Sequence, residues 1–97
     1  MNTATATPGA RVENMTNARG NKAPNQFIIE TDAGLFFQSY QSAIAFKPLK
    51  GKTQLDAEKW DYSATTGRFR NQFLNEGIAE TRAKIASGEY ILTNLNR

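Results

Sequence analysis

Large apolar residues are distributed unevenly along this chain. Residues 1–25 contain no Phe, Tyr, Trp, Leu or Ile, and all ten aromatic residues lie from Phe27 onward. A segment so poor in apolar surface buries too little to offset the entropy of ordering it. The pattern predicts a disordered N-terminal arm over residues 1–25 and a single folded domain over residues 26–97.

Strand signals dominate the first half of that domain. Runs rich in aromatic and β-branched residues, bounded by turn residues, occur at Gln26–Asp32, Leu35–Tyr40 and Ser42–Lys47;. Gly34 separates the first two runs, which predicts a hairpin with glycine at a position of positive φ. A short strand at Thr53–Asp56 is expected to pair with the strand before it.

Helical spacing appears in the second half. Phe69 and Phe73 lie four residues apart and share a face of a predicted helix from about Thr65 to Asn75;. A second helix is predicted over about Ile78–Ser87, ended by Gly88, and a final strand follows over Tyr90–Leu95. The expected fold class is α+β, with a small antiparallel sheet of three to five short strands covered on one face by two short helices.

Several chemistries are excluded by composition or lack a matching motif. The chain has no cysteine and no histidine, which excludes disulfides, thiolate metal sites and nucleophile–histidine pairs;. It has no glycine-rich phosphate loop, no calcium-loop spacing around Asp56, Glu58 and Asp61, and no apolar run long enough for a membrane span;. A non-enzymatic protein without metal or cofactor, located in the cytoplasm, is therefore expected.

Charge divides unequally between the two parts. Arg11, Arg19 and Lys22 against Glu13 give the arm +2 of the net charge of +3, and the folded part carries only +1. Net charge is thus weak support for nucleic-acid binding, which would need the basic residues to cluster on one surface.

The densest local cluster runs from Lys59 to Arg70. In one interpretation it is structural: Trp60 anchors the core, Asp61 bonds a helix amide or pairs with Arg68, and a hydroxyl caps the helix. In the other, the helix N-terminus and its hydroxyls bind an anion, cations hold phosphates and an aromatic ring stacks on a base. The residues of that second interpretation are Ser63, Thr65 and Thr66 for the anion, Arg68, Arg70, Arg82 and Lys84 for phosphates, and Trp60 and Tyr62 for stacking. The i, i+2 spacing of the two rings would align them in an extended segment.

An aromatic strand offers an alternative surface. Phe36 and Tyr40 share one side by alternation and Phe37 takes the other, so one aromatic side should be core;. If helices cover only one face of the sheet, the opposite face is a candidate partner surface. Stacking of single-stranded bases on such a face and dimerisation through it are equally compatible with the sequence.

From Phe36 onward the chain carries a series of short motifs. They are Phe37-Gln38-Ser39-Tyr40, Ile44-Ala45, Leu55-Asp56, Trp60-Asp61-Tyr62-Ser63, Thr65-Thr66, Phe73-Leu74, Thr81-Arg82, Ile85, Ser87-Gly88-Glu89-Tyr90 and Asn94-Leu95-Asn96. In these motifs the chain resembles an uncharacterised family of small bacteriophage and mobile-element proteins. The family carries no assigned activity, so the resemblance implies context alone: small phage accessory proteins bind nucleic acid or host and defence proteins.

Three hypotheses follow. The first is a nucleic-acid-associated accessory module. The second is a protein-binding inhibitor of a host or anti-phage defence system, acting through the face around Phe36 and Tyr40 or through the helix pair. The third is a structural protein that associates with itself.

Overall fold

The computed structural model describes residues 10–96, which form six strands and two helices. The strands are β1 (Arg11–Thr16), β2 (Lys22–Thr31), β3 (Gly34–Ser39), β4 (Ser42–Pro48), β5 (Gln54–Asp56) and β6 (Ile91–Thr93). The helices α1 (Ala64–Leu74) and α2 (Ile78–Ser87) lie between β5 and β6.

All six strands belong to one sheet in sequence order, β1 to β6. Each neighbouring pair is antiparallel except β5 and β6, which run parallel. Parallel neighbours need a long crossover connection, and the two helices provide it. The α+β class is therefore confirmed, with six strands in place of the three to five predicted.

The additional strand comes from the segment that the sequence assigned to the arm. Arg11–Thr16 pairs with β2, so the predicted arm is wrong for residues 11–25; its first nine residues lie outside the described part of the chain. Met15 and Ala23 are buried in the core, and backbone hydrogen bonds to β2 hold the rest of β1. A strand held by its neighbour needs few large apolar residues of its own, which is why composition missed it.

Elsewhere the predicted elements lie close to the observed ones. Gly34 has φ +145°, and a Cβ there would collide with the carbonyl oxygen of Lys47, so glycine is required by both conformation and space;. Helix α2 has the predicted bounds and ends at Gly88 in the left-handed conformation;. The final strand is shorter than predicted, only Ile91–Thr93.

Both helices contribute to a core on one face of the sheet. Phe37 of β3 is fully buried, and its ring lies 5.8 Å from that of Phe73 on α1. A bulge in β4 opposite Phe37 accompanies the full burial of both Ile44 and Ala45;. Among residues 10–96, no helix lies on the opposite face of the sheet.

Candidate functional site

Contrary to the prediction from sequence, the side chain of Arg70 is buried and does not reach solvent. Its exposed fraction is 1%, and its Nη1 donates to the Trp60 carbonyl oxygen at 2.8 Å and to Asp61 Oδ1 at 3.0 Å. Its Nη2 donates to Asn71 Oδ1 at 2.8 Å, and the guanidinium lies 5.3 Å from the Trp60 ring centroid. Arg70 thus ties the β5–α1 turn to α1, and its proposed role as a phosphate ligand is corrected.

Lys84 is also occupied by internal partners. Its Nζ lies 2.7 Å from Glu76 Oε1 and 3.5 Å from Glu80 Oε2. The hydrogen bond to Glu76 raises the pKa of Lys84. Burial opposes ionisation of Glu76, but hydrogen bonds from Lys84, Thr81 and Tyr90 outweigh it and lower the pKa of Glu76. Lys84 therefore belongs to a structural cluster that joins α2 to its flanking segments, and not to a free basic patch.

The hydroxyl side chains predicted to bind an anion have mainly structural roles. Ser63 is the N-cap of α1, and its Oγ accepts from the Thr66 amide at 3.1 Å;. The Thr66 hydroxyl is fully buried 2.9 Å from the hydroxyl of Ser39. Thr65 is half-buried on the first turn of α1. Thr66 is therefore out of reach of a ligand, whereas Ser63 and Thr65 stay at the helix end.

The two rings predicted to align do not point the same way. The segment between β5 and α1 is a turn, in which the amide of Trp60 donates to the Asp56 carbonyl oxygen at 3.0 Å. Trp60 packs against the core, and Tyr62 is exposed with Lys59 Nζ 5.5 Å from its ring centroid. Of the two, only Tyr62 is placed to stack on a ligand.

One open groove nevertheless gathers several of the predicted residues. Its volume is about 580 Å³, and it is lined by Tyr62, Ser63, Arg68, Arg70 and Arg82, with others. Asp61 also lines the groove and forms ion pairs with two arginines. Its Oδ1 lies 3.0 Å from Arg70 Nη1, and its Oδ2 lies 3.4 Å from Arg82 Nη2.

The charge available to a ligand in this groove is therefore smaller than the sequence suggested. Arg68 is exposed, and Arg82 keeps a side chain that is 65% exposed. Asp61, which the sequence predicted to bond a helix amide or to pair with Arg68, pairs with Arg70 and Arg82. Arg68 of α1 and Arg82 of α2, the latter sharing Asp61 with Arg70, are the exposed cations that line the groove near the N-terminus of α1;.

The side of the sheet opposite the two described helices presents a second surface, which we call the open face. Directly paired residues of neighbouring strands share a face, so the registers define two rows that cross the sheet. The first row spans all six strands and the second spans four. The ten residues are Val12, Ile29, Phe36, Phe46, Gln54 and Ile91 in the first row, and Asn14, Phe27, Gln38 and Ala43 in the second.

No residue of the open face is charged, and seven of the ten are apolar. Phe36 and Phe46 stack at its centre with ring centroids 4.2 Å apart and an interplanar angle of 17°. Val12 and Ile91, at the two edges, are 65% and 44% exposed. The face is thus a contiguous apolar surface with accessible side chains at both ends.

Tyr40 lies outside β3, in the β3–β4 turn with φ +58°, so the alternation that predicted a shared side with Phe36 does not extend to it. Its side chain is exposed. The sequence also missed Val12, Ile29, Phe46 and Ile91, because their alignment depends on pairing between strands. The i, i+2 pairs Val12–Asn14, Phe27–Ile29 and Phe36–Gln38 were the available signal;.

The described residues contain no further cluster with obvious chemistry. Within residues 10–96, no group of three or more His, Cys, Asp or Glu could hold a metal ion. Neither described helix is long and apolar enough to cross a membrane.

Comparison with known proteins gives one match. No curated protein and no solved structure matches the chain. A family model matches residues 10–91, a range that begins at β1 and extends to β6. The chain belongs to DUF8033, a family of unknown function.

Proposed function

We propose that this protein is a small, non-enzymatic accessory protein that acts by docking a protein surface on its open face. The observation that carries the proposal is the row of apolar and uncharged side chains across all six strands, centred on the stacked pair Phe36 and Phe46. Large contiguous apolar patches on soluble domains mark interaction sites. The cores of protein interfaces are rich in aromatic residues and poor in charged residues.

The absence of charge on this face favours a protein over a nucleic acid. Sheet faces that bind single strands combine stacked rings with cations that hold the phosphates. The ten open-face residues include rings but no Lys or Arg. Contacts between cations and phosphates supply much of the affinity of proteins for nucleic acid, and the open face has no cation to make them.

Nucleic-acid association is the second candidate, and it rests on the groove at the start of α1. Arg68, Arg82 and Tyr62 face the groove together, next to the positive end of the helix dipole;. Fluorescence anisotropy with labelled single- and double-stranded DNA, at roughly 50 and 200 mM salt, tests it. Binding that falls steeply with salt and is lost in Arg68→Glu/Arg82→Glu supports it, and equal binding by that variant refutes it.

The biological context is part of the proposal and rests on the sequence resemblance. Similarity to small bacteriophage and mobile-element proteins suggests an accessory protein that acts in the host cytoplasm. A protein-docking face suits an inhibitor of a host or anti-phage defence system, because such an inhibitor needs a contact surface and no catalytic residues.

Site-specific photocrosslinking in living cells tests the docking proposal directly. A photoreactive benzophenone residue replaces Ile91 on the open face or, as the matched control, its neighbour Leu92. The two side chains are similarly exposed, 44% and 42%, but point to opposite sides of β6;. Protein adducts that are stronger from position 91 support the proposal. Equal or absent protein adducts at both positions would refute it, and nuclease-sensitive adducts would favour the second candidate.

A further inference from the structure

We propose that the protein docked on the open face is a second copy of this chain, so that two sheets pack face to face about a two-fold axis. This inference rests on the proposed function, since it names the partner of the same face. Face-to-face packing of two sheets is a common architecture, with the sheets about 10 Å apart.

The order of side chains across the sheet suits a two-fold axis. From β1 to β6 the first row has aliphatic residues at both edges, Val12 and Ile91, and the stacked rings of Phe36 and Phe46 on the two central strands. A two-fold axis in the plane between the sheets, whether along or across the strands, places the central rings of one copy on those of the other. An isologous interface requires this self-complementarity.

Charge also permits two copies to meet at this face. Charged side chains of both signs lie on the other described surfaces of the chain, so a contact between two copies there would have to pair or desolvate them;. The open face holds no charged residue, and therefore a dimer formed there buries no unpaired charge. Asn14, Gln38 and Gln54 supply the polar atoms of the face. Asn14 Nδ2 and Gln38 Nε2 already donate to the carbonyl oxygens of Ala23 and Tyr40. The amide of Gln54 both donates and accepts, so it can bond to its own copy where the two-fold axis runs across the strands along the first row;.

The size of the face predicts how strong the dimer is. Strands lie about 4.8 Å apart and rise about 3.3 Å per residue, and a residue of one face occupies two positions along its strand, so the ten residues of the open face cover roughly 320 Å². Two copies then bury on the order of 600 Å², below the roughly 1,200 Å² at the lower end of specific interfaces. We therefore expect a weak, reversible dimer whose population changes across the upper micromolar range.

Sedimentation velocity of the full chain over about 1–200 µM tests the inference. The expected result is a monomer–dimer equilibrium that Ile91→Lys and Gln54→Lys each shift at least about tenfold toward monomer, because they place cations in the interface. Leu92→Lys is the control, with the same new charge on the other side of β6, and its equilibrium should stay within about twofold of the unmodified chain. Circular dichroism and urea midpoints establish that each variant is folded.

A monomer throughout the concentration range would overturn the inference. So would a dimer that Ile91→Lys, Gln54→Lys and Leu92→Lys leave equally intact, since its interface would lie elsewhere. The photocrosslinking experiment separates this failure from failure of the proposed function. An adduct at position 91 with twice the mass of the chain supports the second copy, and an adduct of any other protein mass alone overturns it while leaving protein docking in place.

Discussion

Replacing Arg70 with methionine should destabilise the fold strongly, whereas the same change two residues earlier, at Arg68, should not. Arg70 is buried and bonds Trp60, Asp61 and Asn71, and Arg68 is exposed on the same helix. Methionine keeps most of the aliphatic length in both cases, so that the comparison isolates the guanidinium group.

The magnitude follows from what the substitution leaves behind. Three charge-assisted hydrogen bonds disappear. The partly buried Trp60 carbonyl oxygen loses its Arg70 donor, and an acceptor left unsatisfied on burial costs about 1–3 kcal/mol;. Asp61 is partly exposed, with 36% of its side chain accessible, and regains water, which limits the loss. Removal of a buried cation offsets part of the remainder. We expect a net loss of about 2–4 kcal/mol for Arg70→Met, against less than about 0.5 kcal/mol for Arg68→Met.

Urea unfolding followed by circular dichroism measures both changes. A domain of this size has a total stability of about 5–15 kcal/mol, so the loss at Arg70 should move the midpoint clearly. The melting temperature should fall by roughly 10–25 °C, since each kcal/mol is worth about 4–8 °C. Similar losses for the two variants, or a loss below about 1 kcal/mol at Arg70, would refute the inference that this guanidinium is a structural bridge.

Three further predictions concern polar groups of the core and the helix end. The pKa of Glu76 is lowered in the folded state, so its contribution to stability is present above the ordinary carboxyl pKa and is lost as pH falls through the folded-state pKa;. The free energy of unfolding, measured across acidic pH, should therefore decline less steeply in Glu76→Gln than in the unmodified chain. Gln26 is buried, and neither polar atom of its side-chain amide has a hydrogen-bond partner. Gln26→Leu should therefore raise the free energy of unfolding, measured in urea, by about 1 kcal/mol. A decrease in the free energy of unfolding of similar size would show that the amide has a partner. Ser63→Ala removes the N-cap of α1 and should cost about 1 kcal/mol in the same assay, and Thr65→Ala, in the first turn of α1, serves as control;.

Local sequence signals were sufficient for the elements that depend on neighbours along the chain. Helix α2 matches its predicted bounds because Gly77 and Gly88 flank it. The β2–β3 hairpin follows from Gly34, whose conformation no other residue adopts without strain;. β1 was missed because its order comes from pairing with β2, so its own composition, with Met15 as the only buried side chain, was misleading.

The candidate site shows the same division. The sequence predicted Arg68, Arg70 and Arg82 as phosphate ligands, and the fold brings all three to one groove. Which of them is available depends on distances between α1, α2 and the β5–α1 turn, and these are set by packing. Spacing along α1 shows that Arg68 and Arg70 lie on different sides of the helix. It does not show that Asp61, from the preceding turn, forms an ion pair with Arg70.

By itself, the sequence determined the fold class, the absence of cysteine and histidine chemistry and most strand and helix positions. Each of these depends on residue identity and on spacing over a few positions. Only the tertiary structure decided that β1 joins the sheet, that Arg70 and Lys84 are internal ion-pair partners and that Val12, Phe36, Phe46 and Ile91 form one row. The physical reason is that these properties depend on strand register and helix packing, which join residues up to about eighty positions apart in the chain.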